Sequence, residues 1–485
     1  MSTATEQFVR MEMPTVESEV PVRTNEPGSA WPVFCYALAA LLTGRGIQLT
    51  FGNYSVRALA WIGLAVIAAL SAQVRVSTRM AALAKRALEP CMILGIGAGA
   101  MVHLRYSPFG ITGPGQILAF KVCIIASLAC VLSGLKFRKG SRTMFSVAVL
   151  LWAMCGALTL QSSHPLIDVI AVHHESAANL LAGKNPFAGT LPVVYGADKA
   201  ALYYAPDEIK DGRLQHGFPY PPLSLLMAVP GEALAGDYRY TLLLSIALAA
   251  LLMTWTSPGI AGGLAAAAFL FTPQAFFVLA MGWTEPFLVL LLALTVFAAA
   301  RRSSILPYAF GLFLSGKQYM AIAAIAAAAL VKPLQPRNLL SFLVKAGLAA
   351  SFVTVPFFLW NPSAFAHSVL RATYPDRLDA LSFPSLFLHM GIHLPGWVLA
   401  LPLLLTLIFL ARRGQATPSG FAALVATLYL VLFSFARVAF CNYYYFVIAA
   451  FCIAIAGWQT DLSSLNAIPE LGSSEASYSK VIDEA

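Results

Sequence analysis

The residue best suited to acid–base chemistry is Asp168, which follows an apolar segment and opens a stretch with helical character over 168–182. Gly183 followed by Asn185-Pro186 is a typical helix stop. On such a helix Asp168 and Glu175, seven residues apart, share one face at about 10 Å along the axis. A carboxylate at an apolar boundary can act as the general base that deprotonates a hydroxyl. Alternatively, Asp168 caps the helix.

A lysine inside an apolar run, Lys317, is the first candidate for holding an anionic group such as a phosphate. A lysine inside a membrane is costly and indicates function by default, although its ammonium could instead snorkel to the interface. Glu285, in another apolar run, could pair with Lys317, bind substrate or mark the boundary of a span. Arg437, near the outer end of a span, breaks the positive-inside pattern and could meet a phosphate. Further candidates, which could equally be solvated charges, are Arg371 and Arg377.

The chain contains eight histidines, which could suggest a metal site. His173 and His174 are adjacent and point to different helix faces, which is poor chelating geometry, whereas His389 and His393 are spaced to share a ligand. Because no carboxylate motif accompanies them, we expect no metal and no cofactor, with a divalent metal as the open alternative. His174 or His367 could assist proton transfer.

The composition is that of a membrane protein. Of the 485 residues, 59% are hydrophobic and only 11% are charged, whereas about a quarter of the residues in a soluble protein are charged. Most of the surface must therefore face lipid, which excludes a soluble globular domain. The net charge of +9 first sets membrane topology, so we expect a lipid bilayer and no nucleic acid as partner.

The hydropathy pattern predicts an all-α polytopic membrane protein with about 12–14 transmembrane helices. Regions 259–283 and 304–331 are apolar but interrupted by Gly, Pro or Lys, which predicts broken or re-entrant helices. The predicted spans are 31–50, 57–74, 88–104, 115–135, 143–160, 221–235, 240–256, 286–300, 342–360, 394–411, 420–436 and 443–458.

The basic residues predict which side each loop occupies. Clusters near residues 75–86, 136–142, 301–302, 332–345 and 412–413 all become cytoplasmic if the N-terminus is cytoplasmic. This scheme requires an even number of crossings between Asp237 and Arg301, and it carries Lys317 to an outer turn. It also makes 161–220 and 361–393 two long outer loops, and it places every histidine on or near the outer side.

The chain divides by composition into four predicted regions. Residues 1–30 form a cytoplasmic tail, and 31–140 an accessory layer of four transmembrane helices with short connections. Residues 141–458 form a catalytic transmembrane core that carries the outer loops 161–220 and 361–393. The Ser- and Glu-rich segment 459–485 is predicted to be a disordered cytoplasmic tail.

Several spaced motifs in 145–458 resemble the GT-C superfamily of membrane glycosyltransferases, in particular bacterial mannosyltransferase-like proteins. An Asp after a core span precedes a short amphipathic helix and then Gly183-x-Asn185-Pro186-Phe187, and later Tyr220-Pro221-Pro222-Leu223 opens a span. Weaker similarities are Gly282-Trp283-Thr284-Glu285-Pro286, the position of Lys317, and Asn442-Tyr443-Tyr444-Tyr445.

The resemblance implies transfer of a sugar from a polyprenyl-phosphate donor to a glycan or lipid acceptor, on the periplasmic side of a bacterial inner membrane. It also implies that Asp168 is the general base. The alternative function is a transporter or lipid flippase, because broken helices and intramembrane charges occur there too. The candidate substrate-binding residues are Lys317, Glu175, His174, Glu285, Arg371, Arg437 and Tyr220.

Overall fold

The computed structural model describes residues 30–370, 376–413 and 415–466, and almost all of the regular structure in them is helical. Seven helices in these ranges are long and apolar enough to cross a membrane, and seven more apolar helices have 10–17 residues. The prediction of an all-α polytopic membrane protein is therefore confirmed. The division into four regions stays a prediction.

The N-terminal helices form a layer against the rest of the bundle. Only 28% of the apolar window of the third and of the fourth helix is buried inside the protein, against 89% of that of the last helix of the chain. The layer thus exposes large apolar side chains, as a lipid-facing surface does. Its helices, and the one that follows, are α1 (Ala30–Thr50), α2 (Val56–Ser71), α3 (Thr78–Arg105), α4 (Pro114–Lys136) and α5 (Ser141–Ser162).

The predicted loop 161–220 is a folded segment with its own apolar core. Val172, Phe187, Leu214 and Phe218 are buried together there, with Phe357 from a later helix. A small antiparallel sheet with strand order β1-β3-β2 supports this core. The elements are α6 (Asp168–Leu181), β1 (Leu191–Pro192), α7 (Ala197–Tyr203), β2 (Ile209–Lys210), β3 (Arg213–Leu214) and α8 (Pro222–Ala235).

The middle of the chain contains two interrupted passes, as the sequence predicts. The first breaks at Phe271–Gln274, and the second at Ser315–Lys317, after which residues 318–330 continue as a 3-10 helix. The helices are α9 (Arg239–Thr256), α10 (Ala261–Leu270), α11 (Ala275–Ala280), α12 (Glu285–Ala300), α13 (Leu306–Leu314), the 3-10 helix Gln318–Leu330 and α14 (Pro336–Trp360).

The final helices include the centre of the bundle. The last of them packs against α1, α10 and α12 as well as its neighbour in the chain, and its residues 444–456 are fully or almost fully buried. The elements are α15 (Pro362–Leu370), α16 (Phe383–His389), α17 (Gly396–Arg413), α18 (Pro418–Ser434) and α19 (Cys441–Asn466).

One predicted span is wrong, because α8 does not cross the bundle. The turn after it, at Gly236, shares a cavity wall with Gln161 and His164, at the outer end of α5. The opposite end of α9 meets the N-terminal end of α5, since Arg142 donates to the carbonyl of Ser257 at 2.9 Å. The passes between Asp237 and Arg301 are therefore α9, then α10 with α11, then α12, which is an odd rather than an even number.

Candidate active site

Asp168 is the first residue of α6, and its carboxylate is partly exposed. The hydroxyl of Tyr204 donates to Asp168 Oδ2 at 3.1 Å. The residue before the helix, Ile167, makes no side-chain hydrogen bond to it, and Asp168 Oδ1 accepts from the N–H of Val169 at 2.8 Å. One carboxylate oxygen thus satisfies an N–H of the first helical turn, as the capping alternative expects, while the other meets Tyr204.

A second tyrosine approaches Asp168 from the same loop. The backbone N–H of Asp168 donates to the hydroxyl of Tyr195 at 3.3 Å. Burial, and then the negative charge of Asp168, raise the pKa of the Tyr195 phenol well above its ordinary value. The phenol therefore stays protonated at neutral pH. The ammonium of Lys199 lies 4.9 Å from the centre of the Tyr195 ring.

Arg377 connects the two outer loops of the sequence prediction. Its guanidinium lies 4.2 Å from the centre of the Tyr203 ring, next in the chain to Tyr204. It also donates two bonds of 2.7 Å to the carboxylate of Asp379. Burial lowers the pKa of Arg377, but the bonds and charge of Asp379 outweigh it and raise that pKa. Arg377 therefore connects Tyr203 of the first loop with Asp379 of the second, and its guanidinium already has partners in both.

The other predicted outer arginines have different positions. Arg437 Nε lies 3.4 Å from Asp376 Oδ1, and about half of the Arg437 side chain is exposed. Arg371 lies outside the described residues. A phosphate-binding role for either arginine stays a prediction.

Lys317 and Glu285 form a buried ion pair at the turn between α13 and the 3-10 helix. Lys317 Nζ lies 2.5 Å from Glu285 Oε1, and their side chains are 8% and 0% exposed. The hydroxyl of Tyr319 donates to the same Glu285 oxygen at 3.1 Å. The rings of Tyr220, Tyr319 and Tyr443 surround the ammonium at 5.4, 5.8 and 5.9 Å from their centres.

The ion pair leaves one acceptor unused. Glu285 Oε2 is buried and has no hydrogen-bond partner among the described residues, and the same is true of the neighbouring Thr284 hydroxyl. Buried polar atoms without partners are rare and require an explanation. A hydroxyl-bearing ligand that reaches Lys317 would supply a donor for this oxygen.

His173 connects α6 with the lysine cage, which is the set of Tyr220, Tyr319 and Tyr443 rings around Lys317. The sequence predicts no substrate-binding role for His173. Its ring stacks on Tyr220 and Tyr238 at 5.5 and 4.9 Å between centres. Nδ1 lies 2.8 Å from the carbonyl of Val169 and must carry the proton, which leaves Nε2 as a buried acceptor without a partner in the described ranges. Burial lowers the pKa of His173 to about 4, so the imidazole is neutral at pH 7.

The histidine that the sequence favoured, His174, faces the other way. Its side chain is 62% exposed, and Nδ1 lies 2.5 Å from Glu232 Oε1 on α8. Glu175 also has a partner of its own, since Arg213 Nη2 lies 2.5 Å from its Oε1. This pair ties α6 to β3. Neither residue contacts Asp168 or Lys317 through a bond that the structure describes, so their substrate-binding roles stay predictions.

A cavity of about 390 Å³ opens beside α6, between the end of α5, α8 and the start of α9. Both ionisable and aromatic side chains form its wall. Tyr238, which stacks on His173, also lines this cavity and donates to the carbonyl of Gly282 at 2.5 Å. Its polar wall contains Gln161, His164, His174, Glu232, Asp237 and Arg239.

Within residues 30–370, 376–413 and 415–466, no three His, Cys, Asp or Glu side chains are grouped to hold a metal ion. His389 Nδ1 donates to the carbonyl of Ser385 at 2.8 Å, and the His389 ring stacks on Tyr54 with 4.2 Å between ring centres. His393 Nδ1 lies 3.4 Å from Asp376 Oδ2. The two histidines thus have separate partners, and the expectation of no metal remains untested.

No protein-family model matches this sequence, and no curated protein matches it. Among solved structures, the chain is similar to ArnT from Cupriavidus metallidurans bound to undecaprenyl phosphate, a GT-C glycosyltransferase, at 18% identity and a TM-score of 0.42. The match covers 67% of this chain and 62% of that one, so the chain spans less than two thirds of its length.

Proposed function

We propose that this integral membrane protein is a glycosyltransferase that moves a sugar from a polyprenyl-phosphate donor to a glycan or lipid acceptor. The transfer takes place at the outer, periplasmic side of a bacterial inner membrane. One observation carries the proposal. A partly exposed carboxylate, Asp168, lies on the same short helix as His173, whose ring packs on Tyr220 of the cage around the Lys317 ammonium.

In the proposed reaction Asp168 is the general base. The acceptor hydroxyl attacks the anomeric carbon of the donor sugar, and Asp168 takes the hydroxyl proton. The new carbon–oxygen bond forms as the bond to the phosphate oxygen breaks, and the polyprenyl phosphate leaves as an anion. One base and one displacement give inversion at the anomeric carbon. Tyr204 would orient the carboxylate through its bond to Oδ2.

Lys317 would stabilise the negative charge that develops on the leaving phosphate. In the described state Glu285 neutralises the ammonium, which lowers the cost of a cation in apolar surroundings. A bound phosphate would share the ammonium with Glu285, while the rings of Tyr220, Tyr319 and Tyr443 hold it in place.

The cavity beside α6 suits the polar part of a substrate. Carboxylates accept hydrogen bonds from sugar hydroxyls, and histidine and arginine can donate them. Glu232, His164 and Arg239 provide these groups in the cavity wall. The volume of about 390 Å³ is within the range of about 300–1,000 Å³ that is typical of small-molecule sites.

The alternative, a transporter or flippase, predicts substrate-binding groups near the middle of the membrane. Asp168 and Arg377 instead belong to the folded segments that connect the spans, and Glu232 lines the cavity at the end of α5. This distribution favours chemistry at the membrane surface.

The test uses purified full-length protein in lipid nanodiscs with radiolabelled polyprenyl-phosphate hexoses and pentoses and extracted envelope lipid as acceptor. We expect transfer by the native chain and by Asp198→Asn, a matched control for an exposed carboxylate of the same loop, and loss of transfer in Asp168→Asn. Equal activity of the Asp168 and Asp198 variants would exclude Asp168 as the general base. Solute or lipid translocation by vesicles without any sugar transfer would favour the transporter.

A further inference from the structure

A second cavity of about 380 Å³, with none of the candidate active-site residues in its wall, lies between the N-terminal layer and the core. Helices α1 and α3 form one side, and the end of α10 and the middle of α19 form the other. Cys452 of its wall follows Tyr443 of the lysine cage by nine residues, which is about 180° around a helix. The cavity is therefore on the opposite face of α19 from Lys317. Most of the wall is apolar, as shown by Ala37, Met92, Phe271, Ile448, Cys452 and Ile455.

The wall is polar only toward the outer end of the helices. Arg45 lines the cavity and is exposed, five residues before α1 ends at Thr50. Gln48 is one turn further along the same helix, and its side-chain oxygen accepts from Gln274 at 2.9 Å, which leaves the Gln48 NH₂ group to donate. Arg45 itself has no hydrogen bond or ion pair with the described residues. An arginine in a transmembrane helix indicates a functional site by default.

The cavity is narrow because α3 approaches its neighbours very closely. A Cβ atom on Gly99 would lie 1.8 Å from the Phe271 carbonyl oxygen, and one on Gly95 would lie 2.2 Å from a Leu41 methyl group. A helix is about 10 Å across with its side chains, so the space does not fit another helix. It fits an extended hydrocarbon chain, and Leu94, which is 73% exposed, marks its open side toward lipid.

We propose that this groove is a binding site for an anionic phospholipid of the outer leaflet, distinct from the sugar-donor site. Arg45 binds the phosphate of the headgroup, because a guanidinium matches phosphate oxygens with paired N–H donors. Gln48 adds a donor to the same headgroup. One acyl chain runs from there along Gly95 and Met92 toward Ala37 and fills the apolar part. The lipid then packs the accessory layer against α19.

The test reconstitutes the full-length chain in nanodiscs of a zwitterionic phospholipid with and without phosphatidylglycerol. Co-purified lipid is counted by native mass spectrometry, and the melting temperature is recorded. We expect phosphatidylglycerol to be retained and to raise the melting temperature of the native chain. Arg45→Gln should lose about tenfold in retention, since a charge-assisted bond is removed. Arg57→Gln is the matched control, because Arg57 is exposed at the outer start of α2 and does not line the groove.

A second variant tests the acyl-chain path without touching the charge. Ala98 lines the groove and is exposed, so Ala98→Phe fills it from the open side and should also abolish retention. Inorganic phosphate alone should not raise the melting temperature. If the native chain, Arg45→Gln and Ala98→Phe retained equal amounts of phosphatidylglycerol, the groove would not be its binding site. Displacement of phosphatidylglycerol by polyprenyl phosphate, with the same dependence on Arg45, would overturn the phospholipid assignment. Both readouts are independent of sugar transfer.

Discussion

Two carboxylates near the outer end of the bundle, Asp168 and Glu285, have opposite surroundings. Asp168 is partly exposed and is held by a neutral hydroxyl, that of Tyr204. Glu285 is fully buried and is neutralised by the ammonium of Lys317. A base must meet its substrate and accept a proton, which only the first arrangement allows, whereas a buried ion pair stores a cation in an apolar layer at low cost. Position at the membrane surface alone therefore does not define a carboxylate's role.

The largest effect should come from the exposed carboxylate. Asp168→Asn keeps the size of the side chain and removes the base, so we expect the turnover number for sugar transfer to fall by about 10²–10⁴-fold. Donor binding should hardly change, because Lys317 is untouched. Single-turnover transfer and equilibrium binding of the labelled donor measure the two quantities. If Asp168→Asn instead lost donor binding and kept its turnover number, Asp168 would be a donor-binding residue and not the base.

Changes to the Lys317–Glu285 ion pair should affect stability and donor binding first, in contrast to Asp168→Asn. Lys317→Met leaves Glu285 buried without its cation, which should destabilise the protein by about 3–5 kcal/mol and weaken donor binding. The double variant Lys317→Met, Glu285→Gln should regain most of the stability and none of the donor binding. Melting temperature in detergent and donor binding are the two measurements. Recovery of binding in the double variant would show that Lys317 does not hold the phosphate.

His173, between the two carboxylates, predicts a pH effect on stability. Its folded pKa of about 4 is below the ordinary value of 6.5, so the stability from the neutral imidazole is complete above pH 6.5 and is lost as pH falls toward 4. The maximum loss is about 3 kcal/mol. His173→Phe keeps a ring between Tyr220 and Tyr238 and should flatten the melting temperature between pH 7 and pH 5. An unchanged slope would assign the effect to other groups.

The smallest effect should come from the hydroxyl that orients Asp168. Tyr204→Phe removes one hydrogen bond, worth about 0.5–1.5 kcal/mol, so turnover should fall by about tenfold or less with the donor affinity unchanged. Tyr203→Phe is a matched control, since its ring still packs on Arg377. Equal losses in both variants would point to general disturbance of the loop instead.

Features that depend on local sequence were predicted well, and features that depend on contacts between distant residues were not. Composition alone indicated a helical membrane protein, since an apolar run of about 20 residues has few stable places outside a bilayer. The sequence also raised the pairing of Lys317 with Glu285, which the structure contains, whereas the outer position of this turn stays a prediction. Reasoning from composition failed for α8, whose 14 residues are as apolar as a span but shorter than the membrane is thick. Length alone does not separate it from α12, which has 16 residues, so only its packing on α6 showed that it does not cross.

The sequence did not predict which side chains contact each other. His173 and His174 are neighbours, yet one is buried between two tyrosine rings and the other faces Glu232 at the surface. Their difference depends on which elements, distant in sequence, pack on each face of α6. The sequence by itself thus determined the class of protein and the segments in which its ionisable groups are concentrated, because both follow from local hydropathy and charge. Only the tertiary structure decided which acid is paired and which is exposed, because pairing requires contacts between residues far apart in the chain.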